Sequence, residues 1–536
     1  MISKKNYIIS YLFLAILIFF TVILFVNYFI SNAQAAFIVI MVLAFFSIVS
    51  FFKFEASLLV LIFFMPLYHI VSQIFKTSSF LIIFSMFIGC LFGGVLYLAK
   101  QKKPLIDLEE EISIPVIIFI IFMTMSFLFV YLRIFNHFSF DTHVVSNYAL
   151  NVNLKNSSKA FDMAIYQYLN YFCGFLFLFL ISKIDMTRKF IGRIFYTLFS
   201  ANTVVFLWLF YQIFTNLYSM EQLNATSNQG FIMAHRYGST LIDPNALGIY
   251  SIIILLSFIG FSYYFETRSK RIISAIVILE SLVLLMFSGS RSGFMGLLLI
   301  VLFYLFMSIQ FIIKKIYKKR KLQIINNKRL FLISIISFLI IIILFSTVFI
   351  FILKSLDDDF LPSTLKRLKA DIYLLSKGNI KEAIGNILGG RESLWKAASY
   401  IVKDYPITGV GIGMITIELP NYGKIYRIDS LPDDMADNYY LQVAAELGIF
   451  ALIVNLWIFW VFIKSYKIVI TIIEDKRLKY LISNAFLILP IMLVMFIFGP
   501  HTYFMVVTFL FYFFMAFIVN FSNRYVKNIN LQDKSS

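Results

Sequence analysis

About fourteen stretches of this chain stay apolar for the roughly 20 residues that a helix, rising 1.5 Å per residue, needs to cross a hydrocarbon core about 30 Å thick. They fall at 7–30, 35–52, 56–75, 79–99, 113–133, 163–183, 190–214, 245–265, 272–288, 293–313, 330–353, 440–463, 478–498 and 501–521. Hydrocarbon offers no partner to a backbone N–H or C=O, so continuous apolar runs of this length must be helical. The expected fold is all-α, a polytopic integral membrane helical bundle of about 14 transmembrane helices. An apolar share of 61% with 64 Phe in 536 residues agrees, because soluble domains hold nearer half. One long segment leaves this pattern. The chain divides into transmembrane helices 1–11 over 1–353, a large extracytoplasmic loop over 354–437 with short amphipathic helices, helices 12–14 over 438–522, and a tail over 523–536.

Lys and Arg set the orientation of such a bundle. With the N-terminus in the cytoplasm, most of the 46 basic residues fall in loops and tails on that side, densest between Lys314 and Arg329. Short outer segments keep few, Arg236 and Arg291 among them. Both termini are therefore expected in the cytoplasm. The net charge of +18 does not point to nucleic acid, because its densest cluster would face anionic headgroups of the membrane lipid. Cys90 and Cys173 lie inside spans, and no ligand spacing suggests a metal, so no cofactor and no metal are expected. Residues 1–35 resemble a signal peptide, but their apolar run is too long and reads as a first transmembrane helix. No internal repeat suggests a transporter built from duplicated halves.

Polar residues at the outer ends of the spans carry the functional signal. The loop at 215–244 ends in His235-Arg236-Tyr-Gly-Ser-Thr-Leu-Ile-Asp243-Pro244-Asn245, where Asp243 reads as a helix N-cap and Arg236 is not needed for capping. Ser288-Gly-Ser290-Arg291-Ser-Gly293 joins spans nine and ten as a tight polar turn. Its small residues leave amides for an anion and Arg291 adds a planar fork, or else Arg291 simply snorkels at a helix end. In the long loop, Leu365, Leu368, Ile372 and Leu375 recur at helical spacing, and a second amphipathic helix runs from Glu392 to Asp404 with Arg391 at its start. Gly409-Val-Gly-Ile-Gly413 ends it and is a weak phosphate-cradle motif. Asn438, Gln442 and Glu446 share one helix face, which must meet protein or water, and Glu280 midway along span nine has the same need. Arg236, Arg291, Arg391 and Asp437 thus converge on the outer face. Arginine forks suit a pyrophosphate, and a carboxylate nearby suits an attacking hydroxyl.

At these residues the chain resembles the O-antigen ligase and polymerase superfamily, membrane enzymes of the Wzy and WaaL type. The resemblance rests on Arg-x-Gly leading into Asp-Pro-Asn at 236–245, Ser-Gly-Ser-Arg-Ser-Gly at 288–293, Gly390-Arg391 with Trp395, Pro406 with the glycine run, and Asp-Asn-Tyr-Tyr-Leu with Glu-Leu-Gly at 437–448. It implies a metal-independent, inverting glycosyltransferase in the bacterial cytoplasmic membrane whose donor is an undecaprenyl-diphosphate-linked oligosaccharide. It further implies catalytic roles for Asp437, Arg291 and Arg236, and substrate contacts for Arg391, Asn438, Glu446, Asn245, Ser290 and Trp395. The ligases have histidine where Asp437 stands, which favours a polymerase of capsule or O-antigen repeats over a ligase. A flippase and a chain-length regulator are the partners such an enzyme would have. A transporter, the reading from another class, would place its ionisable groups near the bilayer midplane.

Overall fold

The computed structural model of the protein describes residues 33–74, 79–134, 154–215, 236–319 (242 excepted), 391–428 and 435–533, with a few more between 369 and 379 and at 431. The spans expected at 7–30 and 330–353 lie outside the described residues, as do the loop at 216–235 and nearly all of 354–390. Described residues of the first amphipathic helix, 369–370 and 372–374, are helical.

The first part of the bundle comprises α1 (Ala33–Phe52), α2 (Phe54–Phe64), α3 (Tyr68–Ile74), α4 (Ser79–Lys100), α5 (Ser113–Ile134), α6 (Leu154–Ser182) and α7 (Arg188–Thr215). Then follow α8 (Pro244–Tyr264), α9 (Arg268–Ser288) and α10 (Arg291–Lys319). The loop contributes α11 (Arg391–Asp404) and α12 (Ile415–Ile425), and the chain ends in α13 (Tyr439–Leu447), α14 (Ile449–Ile472), α15 (Lys476–Met495) and α16 (Met505–Asp533). Eleven of the described segments are long and apolar enough to cross a membrane, and Phe37–Phe52 adds a shorter apolar stretch. The protein is an all-α, multi-pass membrane protein.

Three expectations change. The span at 440–463 is two helices: Gly448, at φ +88°, ends α13, and the membrane-long helix starts at Ile449. The last span starts at Met505 rather than 501, because 501–503 form a separate turn. The span expected at 163–183 belongs to a helix that starts earlier, at Leu154, so Asn156 to Ser158 lie in the first turns of α6.

Lipid is as apolar as leucine, so these helices are held by close packing and by hydrogen bonds between them. Gly89 and Gly93, four apart on α4, let α1 approach. A Cβ at Gly89 would lie 2.5 Å from the Leu43 carbonyl oxygen, and one at Gly93 2.9 Å from the Phe51 nitrogen. α16 and α6 run through the centre of the bundle, whereas α10 lies at its edge with Leu298, Val301 and Phe311 outward. Glu280 on α9 accepts from Asn202 Nδ2 (2.8 Å) and Thr203 Oγ1 (3.1 Å) on α7, which resolves it as an interhelical bond.

Ion pairs gather at the end rich in Lys and Arg. Lys183 with Glu110, Lys464 with Glu111, Arg524 with Asp185, Arg193 with Glu55, and Arg188 and Arg477 with Glu266 tie the helix ends there. Most of these groups are exposed and add little stability singly. At the opposite end stands Arg391 with Asp437.

Candidate active site

Arg236 precedes α8 and is buried. Its Nε donates to the Ser288 carbonyl (3.1 Å) and its Nη2 to Asn245 Oδ1 (2.9 Å). The C-terminal carbonyls of α9 have no intrahelical donor, so a cation there is satisfied and also meets the negative end of the helix dipole. Tyr237 N–H reaches the Phe287 carbonyl (3.1 Å), so the segment runs along the end of α9. Asp243 caps α8 by accepting from the Asn245 and Ala246 amides (2.6 and 3.2 Å), with Pro244 as first helical residue. That leaves the Asn245 side chain for Arg236.

Gly289, left-handed at φ +60°, ends α9, and α10 begins two residues later at the half-buried Arg291. Ser290 Oγ receives the Gly293 amide (3.2 Å) and lies 3.1 Å from Ser292 Oγ, while the Ser290 amide donates to Ser288 Oγ (3.2 Å). Serine hydroxyls therefore already occupy two of the amides that the sequence offers to an anion. The turn needs glycine on both sides, since a Cβ on Gly293 would meet the Gly248 Cα at 3.1 Å. This close approach fixes Arg291 beside the N-terminus of α8.

A second group forms around Asp437. Arg391 opens α11 and its Nε donates to Asp437 Oδ2 (3.0 Å); Trp395, one turn on, donates Nε1–H to the Asp437 carbonyl (3.2 Å). Asp437 itself is left-handed at φ +49°, a conformation that costs a non-glycine residue about 1–2 kcal/mol. It persists because α11 grips both ends of the residue and Asn438 locks the next, capping α13 through the Leu441 amide (3.0 Å). Trp395 thus sets the carboxylate's place. Arg391 has no other hydrogen-bond partner among the described residues, which leave most of its fork open.

Glu446 lies at the far end of α13, buried. Val410 and Gly411 donate backbone N–H groups to the Ala445 and Glu446 carbonyls (2.8 and 3.0 Å), and Ile412 donates to Ser126 Oγ (2.8 Å). The Glu446 carboxyl takes the Gly413 and Ile415 amides and Gln442 Nε2 (3.1 Å). The glycine run is consequently no phosphate cradle, because its amides are spent on α13 and on α5. Burial, the largest effect, pushes the Glu446 carboxyl up to about 8, and its hydrogen bonds only partly offset that. The folded protein keeps this proton to about pH 8, whereas an ordinary glutamate releases it near 4.5. Between those values the folded state binds more protons, so stability falls as pH rises. Glu446→Gln should remove that slope: its melting temperature is expected to drop less than the wild type's between pH 5 and 8.5. An equal drop in both proteins would show that Glu446 is ionised when buried.

α10 and α13, which carry one member of each group at or near their starts, both touch the end of α15. Gly296, five residues after Arg291, faces Met495, with a Cβ placed 2.8 Å from its Sδ. The next residue, Phe496, packs tilted against Tyr439 (4.5 Å between centroids) and lies 6.5 Å from His501. Arg391's charge in turn reaches His501. His501 carries no motif in the sequence and was not expected here; its only signal is a polar His-Thr-Tyr between two apolar runs.

Compared with curated proteins, the chain finds no match. The segment running from early α9 into α14, residues 275–456, matches a family model described as O-antigen ligase. It contains Arg291, Arg391, Asp437 and Glu446, whereas Arg236 and His501 lie on either side. The likeness to that family covers residues 275–456, less than half of the 536-residue chain.

Proposed function

We propose that this protein is a polymerase of lipid-linked glycan repeats, joining undecaprenyl-diphosphate-linked oligosaccharides on the outer face of the cytoplasmic membrane. A polysaccharide-assembly role follows from the family match. The observation that carries the finer reading is Arg391, a half-buried guanidinium that holds Asp437 by one N–H and has no other partner among the described residues. A diphosphate needs such a fork, and the hydroxyl that displaces it needs the carboxylate.

In this reading Arg391 and Arg291 bind the donor's diphosphate, and Arg236 holds the surrounding backbone. The acceptor's hydroxyl oxygen attacks the anomeric carbon from the face opposite the diphosphate. The carbon–oxygen bond to phosphate breaks, the lipid diphosphate leaves with its electron pair, and Asp437 orients the hydroxyl and takes its proton on the way to solvent. One displacement inverts the anomeric centre. Arginine charge, concentrated where negative charge grows, stabilises the transition state. Glu280, midway along α9, is already hydrogen-bonded by Asn202 and Thr203, which weakens the transporter reading.

A ligase would use the same donor site with a different acceptor. Purified protein in liposomes with a lipid-linked repeat alone is expected to give a ladder of polymer. If product forms only when a second, non-repeat acceptor is added, the protein is a ligase. No transfer to either acceptor would remove the glycosyltransferase reading.

A further inference from the structure

His501 sits in the turn Gly499–Tyr503 between α15 and α16, buried, with its ring laid on Gly499. A Cβ on Gly499 would come within 3.0 Å of Nδ1 and 3.2 Å of Nε2, so only glycine leaves the ring this place. The turn is anchored next door, where the Thr502 carbonyl accepts from Asn170 Nδ2 (2.5 Å) and Thr508 Oγ1 (2.6 Å). The imidazole is hydrogen-bonded to the Met495 carbonyl, while Nε2 is buried and has no partner. The donor to Met495 is therefore Nδ1–H, and Nε2 carries a lone pair turned into the protein. An acceptor left without a donor in such a place costs about 1–3 kcal/mol and calls for an explanation.

Arg391 supplies one. It is a donor whose other N–H groups meet no acceptor among the described residues, and its field reaches the ring. Burial first, and Arg391 second, push the imidazole down to about 3, so it stays neutral and can only accept at Nε2. A diphosphate brings oxygens that compete with Asp437 Oδ2 for the guanidinium. Once it arrives, the Arg391–Asp437 contact is the one that loosens, and the whole carboxylate turns to the acceptor.

We propose that His501 is a positioning residue for Arg391: its Nε2 accepts a guanidinium N–H when Asp437 turns to the acceptor, keeping the fork aimed at the donor's diphosphate. This rests on the diphosphate reading given above. A donor held by two independent arginine anchors is bound before the carboxylate is released, so the inference also predicts that donor binding precedes acceptor activation.

Full-length His501→Gln and His501→Leu separate this role from simple packing. Gln keeps an acceptor near Nε2, and Leu fills the space without one. Two readouts apply: the affinity for undecaprenyl diphosphate without sugar, and the split between donor KM and kcat. The Leu variant is expected to bind the carrier and the donor about tenfold more weakly with little change in kcat, at equal or higher melting temperature. The Gln variant is expected to stay within about threefold of wild type. Carrier binding unchanged in the Leu variant, or Gln and Leu impaired alike, overturns this inference alone. Wild-type protein that does not bind the carrier overturns the diphosphate reading and this inference with it.

Discussion

Arg391→Ala is expected to lower turnover with a lipid-diphosphate donor by about 10²–10³-fold while the protein still inserts and melts close to wild type. The size follows from removing a preorganised cation from a leaving group that gains negative charge as its bond breaks. The mild structural effect follows from the contacts: Arg391 gives up one N–H to a part-exposed carboxylate, and Trp395 still holds the Asp437 carbonyl. Arg291→Ala is expected to behave the same way, since Ser290 and Gly293 keep the turn closed through their own bonds. Arg236→Ala should abolish product by another route. It strips the donors from the Ser288 carbonyl at the end of α9 and from Asn245 Oδ1 at the start of α8, and should lower the melting temperature as well. Turnover and thermal melts on the three purified variants check this. Full turnover in Arg391→Ala or Arg291→Ala would end the diphosphate assignment. Arg391→Lys, which keeps the charge and loses the fork, should fall between wild type and Ala.

How far the sequence revealed this site depends on how local each contact is. Asp243 and the start of α11 at Arg391 were legible because a cap or a helix start is decided within four residues, whereas Asn438, read as part of a helix face, is the cap of α13. Most spans were legible too, since length and apolarity alone decide them. The break at Gly448 was hidden: Val443 to Ile449 is apolar enough to continue a span, and what stops it is the Pro406 carbonyl taking the Ile449 amide from across the loop. The glycine run looked like a ligand loop because its true partner, Glu446, lies more than thirty residues away. Arg236 read as an uncommitted cation for the same reason, its acceptor being the end of α9. His501 gave no signal beyond its polar His-Thr-Tyr setting, because a buried imidazole is informative only through Gly499, Met495 and Arg391, which the fold alone brings to it. α12, with Pro420 inside it, was missed because its polar residues and proline argue against a helix.

Gly409 gives the sharpest test of how the loop is tied to the site. Gly409→Ala is expected to cost about 3–5 kcal/mol, enough to prevent recovery of folded protein in detergent at 37 °C. Its φ of +63° alone costs an alanine about 1–2 kcal/mol. The rest comes from contact: the new Cβ would lie 2.6 Å from the Leu447 nitrogen and closer still to the Glu446 carbonyl. Those are backbone atoms within α13 and cannot rotate aside, so α13 itself must shift. Asn438 and Asp437 stand at the other end of that nine-residue helix, so any surviving protein should also lose activity. Gly378→Ala isolates the two effects, because Gly378 has φ +79° but open space around it. It should cost only the conformational share, about 1–2 kcal/mol, and leave turnover intact. If Gly409→Ala proves no worse than Gly378→Ala, the glycine run does not press on α13, and the loop's amides are available for a ligand after all.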